Sequence, residues 1–116
     1  MSKTTILVDP SKKVVNMAVA GKMTMEDAEL FVKEYNAKIG PINGEEFELM
    51  VDCTEMKVLT PEMGANLEEV MKMYKNTGFK KITYMIKENN ILKMQLTRIS
   101  RNAGLQAISE VTEAAS

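Results

Sequence analysis

The residues best equipped for chemistry lie in one stretch, Asp52-Cys53-Thr54-Glu55 and, a few positions on, Thr60-Pro61-Glu62. They close an apolar segment, Phe47 to Asp52, and open the next helix. In α/β domains the carboxyl end of a strand and the amino end of the following helix are where ligands and partners are usually read. Each of these groups has a competing structural task. Cys53 would need a neighbouring base or cation to become a nucleophile, but the chain has no histidine and no arginine follows within several residues. A half-buried structural thiol is expected. Asp52 has Glu55 as its only near acidic companion, too few ligands for a metal. It is expected to stabilise the turn, with contact to a partner as the alternative. Thr60 suits a helix cap, Pro61 the first helical position and Glu62 the positive end of the helix dipole. Thr60 is also a candidate phosphate acceptor, yet a hydroxyl used as a cap is worth about 1 kcal/mol to its helix and is partly occupied by that bond.

The missing histidine removes the commonest general base and the commonest metal ligand together. No catalytic constellation replaces it, and a non-enzymatic role without cofactor or metal is expected. Trp is absent, and three Tyr and three Phe leave thin stacking surfaces for bases. Fifteen basic and sixteen acidic residues give a net charge of −1, so no global field attracts nucleic acid or an anionic membrane. Electrostatic recognition must be local. The 116 residues suit a single domain, residues 1–116. One cysteine forms no internal disulfide, and no apolar run approaches the ~20 residues needed to span a bilayer. Met1 to Thr5 lead into a strand pattern rather than a signal peptide, so a cytoplasmic location is expected. Eleven methionines offer either adaptable packing or a promiscuous binding face, and most fall at core spacing.

The elements that must position these groups follow from periodicity. Strands over Thr4 to Val8 and Val14 to Val19 flank Asp9-Pro10-Ser11-Lys12-Lys13, good turn chemistry for a β-hairpin. The alternation in the second strand suits a sheet with helices on one face and partial exposure on the other. Gly21 ends it, and Thr24 with Asp27 forms a variant capping box for a helix whose apolar stripe is Ala28, Phe31, Val32, Tyr35 and Ile39. Gly40 to Gly44 break that helix. Phe47 to Asp52 is apolar enough to be a central, two-sided strand. The helix from Pro61 buries Met63, Leu67, Val70, Met71 and Tyr74 and stops at Thr77-Gly78. Ile82 to Ile86 is a fourth strand. Ile91 to Asn102 is a third helix with Leu92, Leu96, Ile99 and Ala103 on one face, ended by Gly104. A short strand from about Gln106 to Val111 completes the order β-β-α-β-α-β-α(-β). Right-handed parallel crossovers then give an α/β fold, a mixed four- to five-stranded sheet with helices packed over it.

These residues carry a resemblance. The run Met17-Ala18-Val19-Ala20-Gly21-Lys22-Met23, the strand Leu49-Met50-Val51-Asp52, the turn into Thr60-Pro61-Glu62-Met63-Gly64, and Arg98-Ile99-Ser100-Arg101-Asn102-Ala103-Gly104-Leu105 together resemble the STAS domain. That domain is shared by anti-sigma factor antagonists and the cytoplasmic ends of sulfate transporters. The similarity covers nearly the whole chain in the same element order. Within the superfamily the sequence looks closest to the sporulation-antagonist-like branch, some of whose members are grouped with the lipid-transfer CRAL-TRIO fold. The resemblance implies a non-enzymatic role. In the phosphorylated antagonists an Asp-Ser-Ser-Gly motif opens the helix after the central strand, and its second Ser takes the phosphate. Anchored on Asp52, that motif falls on Thr60-Pro61-Glu62-Met63. Glu62 stands in the acceptor's place, so the resemblance implies no such serine switch. Glu62 is either a permanent charge at that position or a plain complement to the helix dipole.

The third helix offers a second surface. Lys93, Thr97, Ser100 and Arg101, with Arg98 nearby, fall away from its apolar stripe, and Lys80, Lys81 and Lys87 flank the preceding strand. They form either a local basic patch for an acidic partner, phosphate or lipid headgroup, or a solvated face. Two functions remain open. One is an interaction module that docks a regulatory protein through Asp52, Thr60, Glu62, Lys93, Arg98 and Arg101. The other is a carrier of a small apolar or lipid-like ligand, with Met63, Met71, Met73, Met85 and Met94 lining a cavity. The first strand, at a sheet edge, makes a homodimer a secondary expectation.

Overall fold

The computed structural model describes residues 4–19 and 25–113. Strands β1 (Thr4–Asp9) and β2 (Val14–Val19) form the hairpin read from the sequence. Its turn is built around the Asp9 carboxylate, which accepts hydrogen bonds from the Ser11 N–H, the Ser11 hydroxyl and the Lys12 N–H at 3.1, 2.8 and 3.1 Å. Helix α1 (Met25–Ile39) follows; its expected cap, Thr24, and residues 20–23 of the STAS-like run lie outside the described residues. Asn43 then caps a single 3-10 turn, Gly44–Glu46, which the sequence reading missed. The chain continues through β3 (Glu48–Asp52), α2 (Pro61–Thr77), β4 (Lys81–Ile86), α3 (Asn90–Asn102) and β5 (Ser109–Glu113).

The sheet order is the chain order, β1-β2-β3-β4-β5, antiparallel between β1 and β2 and parallel thereafter. Each crossover therefore adds a strand at the same edge. Right-handed connections that always advance in one direction place their helices on one face of the sheet. Side-chain burial agrees. Val15, Leu49 and Ile82 align across three strands, as do Met17, Val51 and Tyr84, and all are buried. Against them pack Phe31, Tyr35 and Ile39 of α1, Met71 and Tyr74 of α2, and Leu92, Leu96 and Ile99 of α3. Each such side chain contributes about 1.5–3 kcal/mol by leaving water. Ring centroids 6.0, 6.0 and 6.4 Å apart link Phe31, Tyr35, Tyr74 and Phe79 in a chain through this layer. The Tyr74 hydroxyl ends on the Met17 sulfur at 3.2 Å.

The other face corrects the reading of β3 as two-sided. Leu7, Asn16, Met50, Thr83 and Glu110 form a row across all five strands, and Ala18, Asp52, Met85 and Thr112 form the next. Among the described residues no helix covers them, and Leu7 is 67% exposed. β3 is central in the sheet but buried on one side. Its apolar run misled because Met50 is a half-buried methionine between Asn16 and Thr83 rather than a second core residue.

Strand β5 begins three residues later than expected. Leu105 accepts from the N–H groups of Ile108 and Ser109, both at 3.0 Å, which makes a turn of the segment foreseen as the strand's start. The five methionines proposed to line a cavity do not meet. Met71 is fully buried and Met63 and Met73 half-buried on α2, Met85 is on the open face and Met94 is 72% exposed.

Candidate interaction site

The segment from Asp52 to Gly64 splits its side chains between the two faces. Asp52 lies on the open face, where its carboxylate accepts from the Thr54 N–H at 2.9 Å and the Thr54 hydroxyl at 2.6 Å. These bonds hold its carboxyl below the usual carboxylate value, the signature of a turn-stabilising aspartate. Cys53, one residue on, points into the core and is 2% exposed. Burial, helped by the Asp52 charge, pushes its thiol up to about 12, so it stays protonated at neutral pH.

The loop then crosses to α2. Thr60 accepts from the Met63 N–H at 3.2 Å as the N-cap, Pro61 takes the first helical position, and Gly78 closes the helix in the left-handed conformation at φ 84°. These assignments match the sequence reading. What sequence reasoning missed is Gln95. Its amide reaches from α3 to grip the backbone of Leu59, accepting from the Leu59 N–H at 2.8 Å and donating to the Leu59 carbonyl at 2.9 Å. A clamp between residues 36 positions apart leaves no local signal, and on helical spacing Gln95 reads as an ordinary polar residue.

Two depressions lie in this region, and the second borders the clamp. One, about 460 Å³, lies beyond the carboxyl ends of β3 and β4, between Glu55, Lys57 and Val58 of one loop and Lys87, Glu88 and Asn89 of the other. The second, about 340 Å³, is a groove between α2 and α3: Thr60, Pro61, Gly64, Ala65 and Glu68 form one wall, and Arg98 and Asn102 stand on the other. Small residues set its depth. A Cβ at Gly64 would already touch the Ile99 side chain at 3.6 Å, so the helices lie close at the groove floor.

The nominated residues separate into groups. Thr60 and Arg98 share the groove, with Glu62 exposed on the first turn of α2 beside it. Lys93 and Arg101 are exposed on α3, and Asp52 is on the opposite side of the sheet. The α3 cations and the lysines that flank β4 do not join in one continuous basic patch. Ser100 is 3% exposed and holds the Tyr84 hydroxyl at 3.3 Å and the Ser109 hydroxyl at 3.0 Å, tying α3 to β4 and β5. Lys81 pairs with Glu110 at 3.3 Å at the start of β4, whereas Lys87 follows the strand's other end.

No family model matches this chain, and no curated protein matches it. Among solved structures, the whole chain superposes on 89% of an uncharacterized DUF3478-family protein with a SpoIIAA-like fold from Shewanella loihica PV-4, with a TM-score of 0.66 at 17% identity. This chain has a SpoIIAA-like fold. The α/β architecture with a mixed sheet read from the sequence is therefore the architecture of the molecule, and at this identity the likeness speaks for fold. Within the SpoIIAA-like fold, the groove lies where the α2 cap meets α3. Among the described residues no helix is long and apolar enough to cross a membrane, and no group of three or more Cys, Asp or Glu side chains is arranged to hold a metal.

Proposed function

We propose that this chain is a non-enzymatic, STAS-like interaction module that docks a regulatory protein in the groove between α2 and α3. The observation that carries this reading is the groove itself. It is open to solvent, walled by the capped amino end of α2, and held in shape by the two hydrogen bonds between Gln95 and Leu59. A rigid, pre-formed surface limits the ordering cost of association. In the fold of anti-sigma factor antagonists the same helix start is the regulated surface. Here Glu62 takes the phosphoacceptor's place and Thr60 is engaged as a cap, so docking runs without a phosphorylation switch at that position.

Affinity capture from the native cell, comparing wild type with Ala65→Arg, Glu62→Lys and the remote Lys33→Glu, tests this. Ala65 is exposed, so the substitution fills the groove without entering the core. Loss of a specific protein with Ala65→Arg, weakening with Glu62→Lys and retention with Lys33→Glu are expected. Identical recovery by all four folded proteins refutes the groove as the docking site.

A further inference from the structure

Helix α3 differs from its neighbours in charge. It carries Lys93, Arg98 and Arg101 and no acidic residue, whereas α1 and α2 each contain more carboxylates than ammonium groups. Of the other surface cations, Lys13, Lys38, Lys72 and Lys81 each have a carboxylate within 4.0 Å, whereas Lys12, Lys33, Lys57, Lys75, Lys80 and Lys87 have none among the described residues. Among the described residues neither arginine of α3 has one. The same helix exposes two large apolar side chains, Ile91 at 59% and Met94 at 72%.

Spacing brings these features together. At 3.6 residues per turn, Ile91, Met94, Arg98 and Arg101 fall within an arc of about 80°, opposite the buried stripe of Leu92, Leu96 and Ile99. They form a single outer ridge, apolar over its first turn and cationic over its last two. The centres of the two halves are about 10 Å apart at 1.5 Å per residue. Arg98 also stands on the wall of the α2–α3 groove, so ridge and groove are continuous.

From this, and resting on the docking function proposed above, we infer that the α3 ridge recognises an acidic amphipathic segment of the partner protein. That segment sets apolar side chains on Ile91 and Met94 and carboxylates on Arg98 and Arg101. Charge complementarity identifies the occupant: two guanidiniums with no carboxylate within 4.0 Å among the described residues are matched by bidentate carboxylates. An anionic bilayer fits the surface less well. A flat membrane laid on α3 would also meet the adjacent α2, whose first turn carries the exposed Glu62 and no cation. A protein segment about one helix wide engages the ridge alone.

The test uses a synthetic helical peptide with two leucines and two glutamates on one face, about two turns apart, titrated into isotope-labelled full-length protein and followed by NMR. Shifts confined to α3 and the first turn of α2 are expected, with about tenfold weaker binding to the Arg98→Glu/Arg101→Glu variant. Replacing the peptide's glutamates by lysines should restore binding to that variant and abolish it for wild type. Equal binding of both peptides, or shifts elsewhere, overturns the inference. So does a stronger response of α3 to phosphatidylcholine vesicles containing phosphatidylserine, which makes the ridge a membrane surface. Concentration-dependent shifts of α3 without peptide overturn it as well, because the occupant is then a second copy. If native capture is lost with Ala65→Arg but kept with Arg98→Glu/Arg101→Glu, groove docking stands and the acidic reading of the ridge falls.

Discussion

Replacing Gln95 by Ala should release the loop that leads into α2. The Gln95 amide makes two hydrogen bonds to Leu59, at 2.8 and 2.9 Å, and Leu59 itself is 8% exposed. Each bond is worth about 1 kcal/mol net, and truncation leaves a sheltered N–H and carbonyl without partners, so a loss of about 2 kcal/mol follows. With a urea dependence of about 1–3 kcal/mol per molar, the unfolding midpoint should fall by roughly 1 M. The Leu59 amide should exchange with solvent about 30-fold faster, since about 1.4 kcal/mol is a factor of ten. A second variant separates the hydrogen bonds from packing. Gln95→Glu keeps the acceptor for the Leu59 N–H but turns a carboxylate toward the Leu59 carbonyl, so only the protonated acid restores both bonds. The introduced carboxyl should titrate above the ordinary value of about 4.3, and its deficit against wild type should shrink as pH falls through that raised value. An unchanged midpoint and unchanged Leu59 exchange in Gln95→Ala would refute the clamp. A pH-independent deficit in Gln95→Glu would refute its donor half.

Gly44 approaches the end of α2 so closely that a Cβ there would lie 2.6 Å from the Thr77 carbonyl oxygen and collide with the Thr77 methyl. Gly44→Ala should therefore cost about 1–3 kcal/mol and lower the melting temperature by several degrees, and an unchanged melt refutes this contact. Burial raises the Cys53 thiol from 9.0 to about 12, so folding favours the protonated form. The stability tied to that thiol is complete below about pH 9 and is lost as pH rises toward 12. Cys53→Ala should remove the part of the alkaline decline that begins near 9.0 and leave the part that begins near 10.0 with the buried Tyr74 and Tyr84. If the two proteins lose stability in parallel across that range, the buried-thiol reading fails.

What could be read from the sequence was local. Thr60-Pro61 and Gly78 mark the ends of α2 because caps act within one helical turn, and the structure has them at those positions. The Leu92, Leu96, Ile99 and Ala103 stripe of α3 is buried as its spacing demands. What misled or escaped depends on distant partners. Met50 looked like core in its own segment, and only the sheet order turns it toward an uncovered face. Ser100 looked solvated, yet Tyr84 and Ser109 arrive from two other strands to bury it. At the candidate site Thr60 was legible as the cap of α2, with Glu62 and Arg98 as candidate binding residues. The groove that relates them was not, because its shape rests on Gln95, Gly64 and Ala65, whose types carry no signal alone.

The chain-ordered sheet has a consequence for how the molecule comes together and comes apart. Every strand hydrogen-bonds only to strands that precede or follow it directly in the chain. Such a molecule resembles a short solenoid, in which ordering spreads from one unit to the next and little loop entropy must be paid in advance. Its two ends are unequal. The β1–β2 end is closed by a hairpin, whereas β5 is held along one side by β4 and from above by the Ser100 hydroxyl. Opening should start at β5 and peel inward, so the α3 surface answers to the last strand's attachment while the hairpin end keeps its structure.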